Sequence, residues 1–179
     1  MKILFISDIH GISTNLDIVK KVYEHGVSKL VVLGDLYYAG FNSFDKKSYD
    51  NEKVKDFLMQ FRDNLICMRG NCDSDLDVTG SDFPINEGIS VINVDGIDIY
   101  LTHGNKYNSD NHNKYKRKGV LVYGHYHVPS IKKIDDMVYI NVGSISLPRS
   151  GGKASYGIYE NRCITLYDID GNIIDRTLV

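Results

Sequence analysis

Three short apolar runs, each followed by a turn and an oxygen-bearing side chain, restrict what this chain can fold into more than any other feature. Ile3-Leu4-Phe5-Ile6 leads into Ser7-Asp8-Ile9-His10-Gly11. Leu30-Val31-Val32-Leu33 leads into Gly34-Asp35, and Leu65-Ile66-Cys67-Met68 into Arg69-Gly70-Asn71-Cys72-Asp73. None of the runs alternates with polar residues, so each reads as a strand buried on both faces. Between the first two, Leu16, Val19, Val22 and Tyr23 recur at helical spacing over 13–25, with Ser13 or Thr14 expected to cap the start and Gly26 to mark the end. Strand, helix, strand implies a right-handed crossover and parallel neighbours. Open sheets of that kind bind ligands beyond the C-terminal ends of their strands, where Asp8 and Asp35 stand. Taken alone, either aspartate reads equally as a helix cap.

The remaining chain has two textures. Residues 36–52 lack periodicity and carry Tyr37, Tyr38, Phe41 and Phe44, which suits a functional lid or a contact with a second copy of the chain. A second helix is predicted from Val54, Phe57, Leu58 and Phe61. From Gly88 onward strands dominate, with hairpins predicted at Asp95-Gly96 and Asp135-Asp136 and a turn at Asp170-Gly171. The basic stretch over 105–118 reads as a loop or exposed helix. No repeat or Pro/Ser-rich linker interrupts the 179 residues, so one domain over 1–179 is expected. Two packed mixed β-sheets flanked by helices, an α/β layered architecture, would bury both halves.

Of six histidines, four (His10, His103, His125, His127) sit at strand ends beside Gly or Asp. Asp8 with His10, and His125 with His127, are two residues apart, so in extended backbone each pair points to one side. With Asp8, Asp35 and Asn71 they make seven N/O donors, too many for one tetrahedral zinc and suited to two divalent ions. Without a thiolate cluster, the donor set favours Mn, Fe, Co, Ni or Zn over an iron–sulfur centre.

The motifs Asp8-Ile9-His10, Gly34-Asp35, Gly70-Asn71-Cys72-Asp73, Thr102-His103-Gly104 and Gly124-His125-Tyr126-His127 resemble, in that order, those of the calcineurin-like metallophosphoesterases. Gly70-Asn71-Cys72-Asp73 in place of the common Gly-Asn-His-Asp/Glu, with the Asn141-Val-Gly-Ser144 and Ala154-Ser-Tyr-Gly157 segments, narrows the resemblance to the small single-domain phosphodiesterase branch. The resemblance implies a four-layer αββα sandwich. It implies two divalent cations, manganese first, with Asp8, His10 and His127 on one, Asn71, His103 and His125 on the other, and Asp35 bridging. It also implies a phosphodiesterase acting on a small-molecule or nucleotide-like diester, in which an activated water attacks phosphorus and Asn71 steadies the phosphoryl oxygens. Asp73 is expected either to orient a ligand histidine or to be a solvated carboxylate. Cys72 stands where the wider family has a histidine; a thiol is a weak donor, so the exchange either slows cleavage of poor leaving groups or is inert packing. Ser144, Arg149 and Lys153 are expected as substrate contacts, with a plain surface turn as the alternative.

Composition bounds the rivals. A formal charge of -2 argues against the basic track of a nuclease and against a polybasic membrane anchor. Three cysteines without paired spacing, and an N-terminus with only four apolar residues before Ser7, point to a cytoplasmic protein. A phosphomonoesterase of the same fold is the nearest alternative. A scaffold protein on this fold, built for protein contacts, is disfavoured because all seven donor positions are filled.

Overall fold

The computed structural model describes residues 1–37, 48–114 and 117–179. The three sequence-defined runs form β1 (Ile3–Ile6), β2 (Lys29–Val32) and β3 (Leu65–Met68), paired in parallel. Their crossovers are α1 (Leu16–Glu24) and α2 (Asn51–Met59). β4 (Ile85–Asn86) extends one side in parallel. On the other side β10 (Ser155–Glu160), β11 (Cys163–Asp168) and β12 (Ile173–Leu178) are antiparallel, giving the order β12-β11-β10-β1-β2-β3-β4. The second sheet runs β5-β6-β7-β9-β8, from β5 (Ser90–Val94), β6 (Ile97–Leu101), β7 (Gly119–Tyr123), β8 (Ser130–Ile134) and β9 (Met137–Asn141). Its three central strands are parallel and both edges antiparallel.

Successive residues of a strand face opposite sides, and the core divides accordingly. Ile3, Phe5, Val31, Leu33 and Met68 meet Ile99, Leu101, Val120, Val122 and Ile140 between the sheets. Leu4, Ile6, Leu30 and Val32 turn the other way and pack with Leu16, Val19, Val54, Phe57 and Leu58 of the helices. This two-sided burial is why the runs carry no polar alternation. Beyond the second sheet, Tyr100, Leu121, Tyr123, Met137 and Tyr139 form a smaller cluster. The outer layer there is thin: it includes a 3-10 stretch over Ser109–Lys114, and among the described residues no α-helix covers that face. No described helix is long and apolar enough to cross a membrane.

Local details differ from expectation in three places. α1 begins after Asn15 rather than Ser13 or Thr14; that amide donates to the carbonyl of Ile145 at 2.7 Å instead of capping the helix. A short α3 (Asp75–Gly80) follows the Asp73 loop, started by a reciprocal Ser74–Asp77 capping box. Tyr37 is no contact surface: it is 5% exposed and its hydroxyl hydrogen-bonds Ser81 Oγ at 2.9 Å. Tyr38, Phe41 and Phe44, on which an oligomer contact through 36–52 rests, lie outside the described residues.

Candidate metal centre

Strand pairing continues past the strand ends and brings the donor loops together. The N–H groups of Asp8, His10 and Gly11 donate to the carbonyls of Gly34, Asp35 and Leu36 at 3.0, 2.9 and 2.7 Å. In the second sheet, Gly124 N–H donates to His103 and Val142 N–H to Tyr123. The sheets are joined at this end by Ile145 N–H to the Ser7 carbonyl at 3.1 Å. The loops after β1, β2, β3, β6 and β7 therefore meet at one rim.

The convergence does not come from extended backbone, as the two-residue spacing predicts. Asp8, His10, Asp35, His125 and His127 all have left-handed backbone, with φ of 55, 54, 54, 69 and 58°. Asp and His tolerate this region better than most residues, and such conformations gather at functional sites. Close approach also demands glycine nearby. A Cβ on Gly70 would stand 2.0 Å from Asp35 Oδ1, and one on Gly124 would stand 1.9 Å from Ser7 Oγ.

Two carboxylates are held alike, each spending one oxygen on a backbone amide. Asp8 Oδ2 accepts from His125 N–H at 2.9 Å; Asp35 Oδ1 accepts from Cys72 N–H at 2.8 Å. Their other oxygens turn inward. Asp8 Oδ1 lies 3.3 Å from His127 Nε2 and 3.8 Å from His10 Nε2. Asp35 Oδ2 lies 3.6 Å from His10 Nε2 and 3.3 Å from His103 Nε2, between the two groups of histidines. Asn71 Oδ1 and His125 Nδ1 approach His103 Nε2 at 3.0 and 3.3 Å. All seven predicted donors are thus brought together.

Their proton inventory fits a cation. A carbonyl only accepts, so the contacts of His127 Nδ1 with Leu147 O (2.6 Å) and His103 Nδ1 with Leu33 O (2.8 Å) fix those nitrogens as donors. In the neutral rings each Nε2 then carries a lone pair aimed inward. Asp8 Oδ1 is buried with no hydrogen-bond donor. Electron pairs facing one another across a buried space are what divalent cations satisfy. In the protein alone a proton fills part of that need. Burial pushes His103 down, but its bond to Asp35 and the charges of Asp8 and Asp35 outweigh this, leaving it raised to about 9. Burial pushes Asp35 up, yet His103, the Cys72 amide and His10 hold it well below the carboxylate range.

The other predicted residues separate. Asp73 is neither solvated nor bonded to an imidazole; its buried carboxylate accepts the amides of Asp35, Leu36 and Gly70 at 2.9, 2.7 and 2.8 Å. It ties the loops after β2 and β3 together, with burial raising its pKa. Cys72 lies at the rim within reach of His10 and Asp35. Burial, then the Asp35 charge, pushes its thiol up to about 12, so it stays protonated at neutral pH. Ser144 cannot meet substrate: it is fully buried, donating to Asp8 O at 2.8 Å and accepting from Ser146 and Leu147 N–H at 3.1 and 2.7 Å. Lys153 is committed elsewhere, paired with Asp170 and, at 3.5 Å, with Asp168. Arg149 is exposed, and its N–H donates to the His127 carbonyl at 3.2 Å. Asn141 was not anticipated as a site residue. At the end of β9 it donates to Gly124 O at 2.6 Å and accepts Gly143 N–H at 2.8 Å, bracing the His125–His127 turn. Its signal was a polar residue closing an otherwise apolar strand.

Comparison with known proteins agrees with this geometry. The family model described as the calcineurin-like phosphoesterase superfamily domain matches residues 1–162. The chain belongs to that superfamily. Within the superfamily, the phosphodiesterase YfcE of Escherichia coli strain K12 is 32% identical over 181 residues, covering 100% of this chain and 98% of the relative. The solved structure of that E. coli phosphoesterase superposes with a TM-score of 0.91 over 99% of each chain. Two more distant structures share the fold: zinc-complexed Vps29 from Entamoeba histolytica (17% identity, TM-score 0.68, 99% of each chain) and an archaeal phosphodiesterase (19%, 0.64, 100% of each). The chain is accordingly a phosphoesterase with the calcineurin-like fold, and divalent metal ions go with that family.

Proposed function

We propose that the chain, as one domain over 1–179, is a dinuclear-metal phosphodiesterase acting on a small-molecule or nucleotide-like diester. The observation that carries this reading is the buried, donorless Asp8 Oδ1 facing the inward lone pair of His127. Asp8, His10 and His127 would hold one cation, Asn71, His103 and His125 the other, with Asp35 shared between them. When bound, such cations supply Lewis-acid charge and an acidified water for attack on phosphorus. Manganese is the first candidate for an all-N/O set, with Ni, Co, Fe and Zn next.

The chain's own groups orient the rest. Asp73 holds the Asp35 backbone, and the carbonyls of Leu33 and Leu147 fix two ring tautomers, so the donors are preorganised. Asn71 offers its amide N–H groups to phosphoryl oxygens; that amide now meets Cys72 Sγ at 3.3 Å. Cys72, a neutral thiol within reach of His10 and Asp35, would serve the leaving oxygen as a weak proton donor rather than act as a nucleophile. Arg149, exposed next to His127, is a candidate phosphate contact. All three cysteines are free thiols, which suits a reducing compartment such as the cytoplasm.

The test is metal analysis with a panel of diester, monoester and cyclic-nucleotide substrates. Diester turnover that needs two equivalents of metal supports the reading; turnover of monoesters alone replaces it with a monoesterase. Asp35→Asn is expected to weaken both cation sites, and undiminished turnover by that variant would contradict a shared ligand.

A further inference from the structure

A cavity of about 280 Å³ opens beside the donor cluster, and Asn71 belongs to both. From Asn71, whose Oδ1 is 3.0 Å from His103 Nε2, it extends to Asn105, Lys106 and Tyr107 after β6 and to Glu87 after β4. A phosphodiester has two organic substituents. With phosphorus at the donor cluster, this adjoining space is where one of them reaches.

The cavity wall is predominantly polar, which is unusual for a small-molecule site. Most of its charge is already matched. Arg69 pairs with Glu87 and with Asp75 at 2.5 Å each, and its Nε donates to Asp73 O at 3.1 Å. The Asp73 carboxylate is taken by three backbone amides. Lys106 is exposed on this wall and has no ion-pair partner among the described residues. The formal charges of the wall balance, Arg69 and Lys106 against Asp73 and Glu87, and Lys106 is the charged group left without a partner of its own.

We propose that this cavity is the substituent subsite of the diesterase and that Lys106 selects a polar, anionic substituent, such as a carboxylate-bearing alcohol, over neutral or cationic ones. The inference rests on the phosphodiesterase reading above. Asn105 and Tyr107 supply hydrogen bonds to the same substituent, and Lys106 supplies the charge.

Symmetric diesters put the same group in the cavity whichever substituent enters it. Diglycerate, diglycerol and dicholine phosphates carry anionic, neutral and cationic groups, and their cleavage by the metal-loaded protein is followed by phosphorus-31 NMR. The expected order of kcat/KM is diglycerate, diglycerol, dicholine. Lys106→Ala should lower the diglycerate-to-diglycerol ratio about tenfold, the size of one charge-assisted contact. Lys106→Glu should invert the order, and Lys106→Arg should retain it. Ratios that are the same in wild type and variants overturn the inference, as does cleavage of bis(nitrophenyl) phosphate with none of the three. Failure to cleave bis(nitrophenyl) phosphate as well overturns the diesterase reading itself.

Discussion

Asp8 and His125, 117 residues apart, are joined by a 2.9 Å hydrogen bond from the His125 backbone N–H to Asp8 Oδ2. The bond ties the rim of one sheet to the rim of the other and leaves Oδ1 as the buried oxygen without a donor. The two oxygens thus have separable tasks. Asp8→Asn keeps a carbonyl oxygen for the His125 amide but turns an NH2 toward the imidazoles. It is expected to melt within a few degrees of wild type while losing most bound metal by elemental analysis. Asp8→Ala loses the amide partner too and should cost a further 1–3 kcal/mol, roughly, in denaturant unfolding.

Ser144 separates stability from substrate binding. Its hydroxyl makes three internal hydrogen bonds and has no exposed surface. Ser144→Ala is expected to destabilise the protein by about 1–3 kcal/mol, with KM unchanged. A raised KM at full stability would restore it as a substrate contact.

Gly70 and Asp35 Oδ1 are too close for any side chain. Gly70→Ala should displace the Asp35 carboxylate and lower kcat by roughly a hundredfold or more. The structural readout is a matching drop in metal stoichiometry; full occupancy would count against the displacement.

The His103–Asp35 pair sets a pH signature in metal-stripped protein. His103 is raised to about 9 on folding, above the ordinary value of 6.5, so its contribution to stability is complete below 6.5. That contribution is lost as pH rises through about 9. Asp35 is depressed, so its share is present above 3.8 and lost as pH falls. The chelated protein is therefore expected to lose several degrees of Tm between pH 6.5 and 9.5, and His103→Gln to flatten that slope. Metal binding near pH 7 should release a proton, measurable as buffer-dependent heat.

The thiol of Cys72 stays protonated at neutral pH and donates weakly. Cys72→His should raise turnover of alkyl diesters at least tenfold, and nitrophenyl diesters much less. An equal change for both would assign Cys72 to packing.

The donor set could be read from the chain because its strands are buried on both faces. Unbroken apolar runs such as Leu30–Leu33 mark their own ends, and the polar residue that follows stands out. What lay hidden depends on distant partners. Asn15 looks like an ordinary helix flank until the Ile145 carbonyl takes its amide. Lys153 looks like a phosphate ligand until the turn between β11 and β12 supplies Asp168 and Asp170. Ser144 looks like a surface serine until β9 brings it under Asp8. α3 is too short for periodicity, and only the Ser74–Asp77 spacing announces it.

The left-handed turns at Asp8, His10, Asp35, His125 and His127 have a wider consequence. Glycine would adopt each of them without a Cβ penalty, so the chemically inert residue is also the conformationally relaxed one. At Asp8 and Asp35, however, glycine would also remove the carboxylate that accepts the His125 or Cys72 amide, and that loss offsets the relief. The side chains that would grip the cations are therefore the same ones that keep these two unusual turns in place.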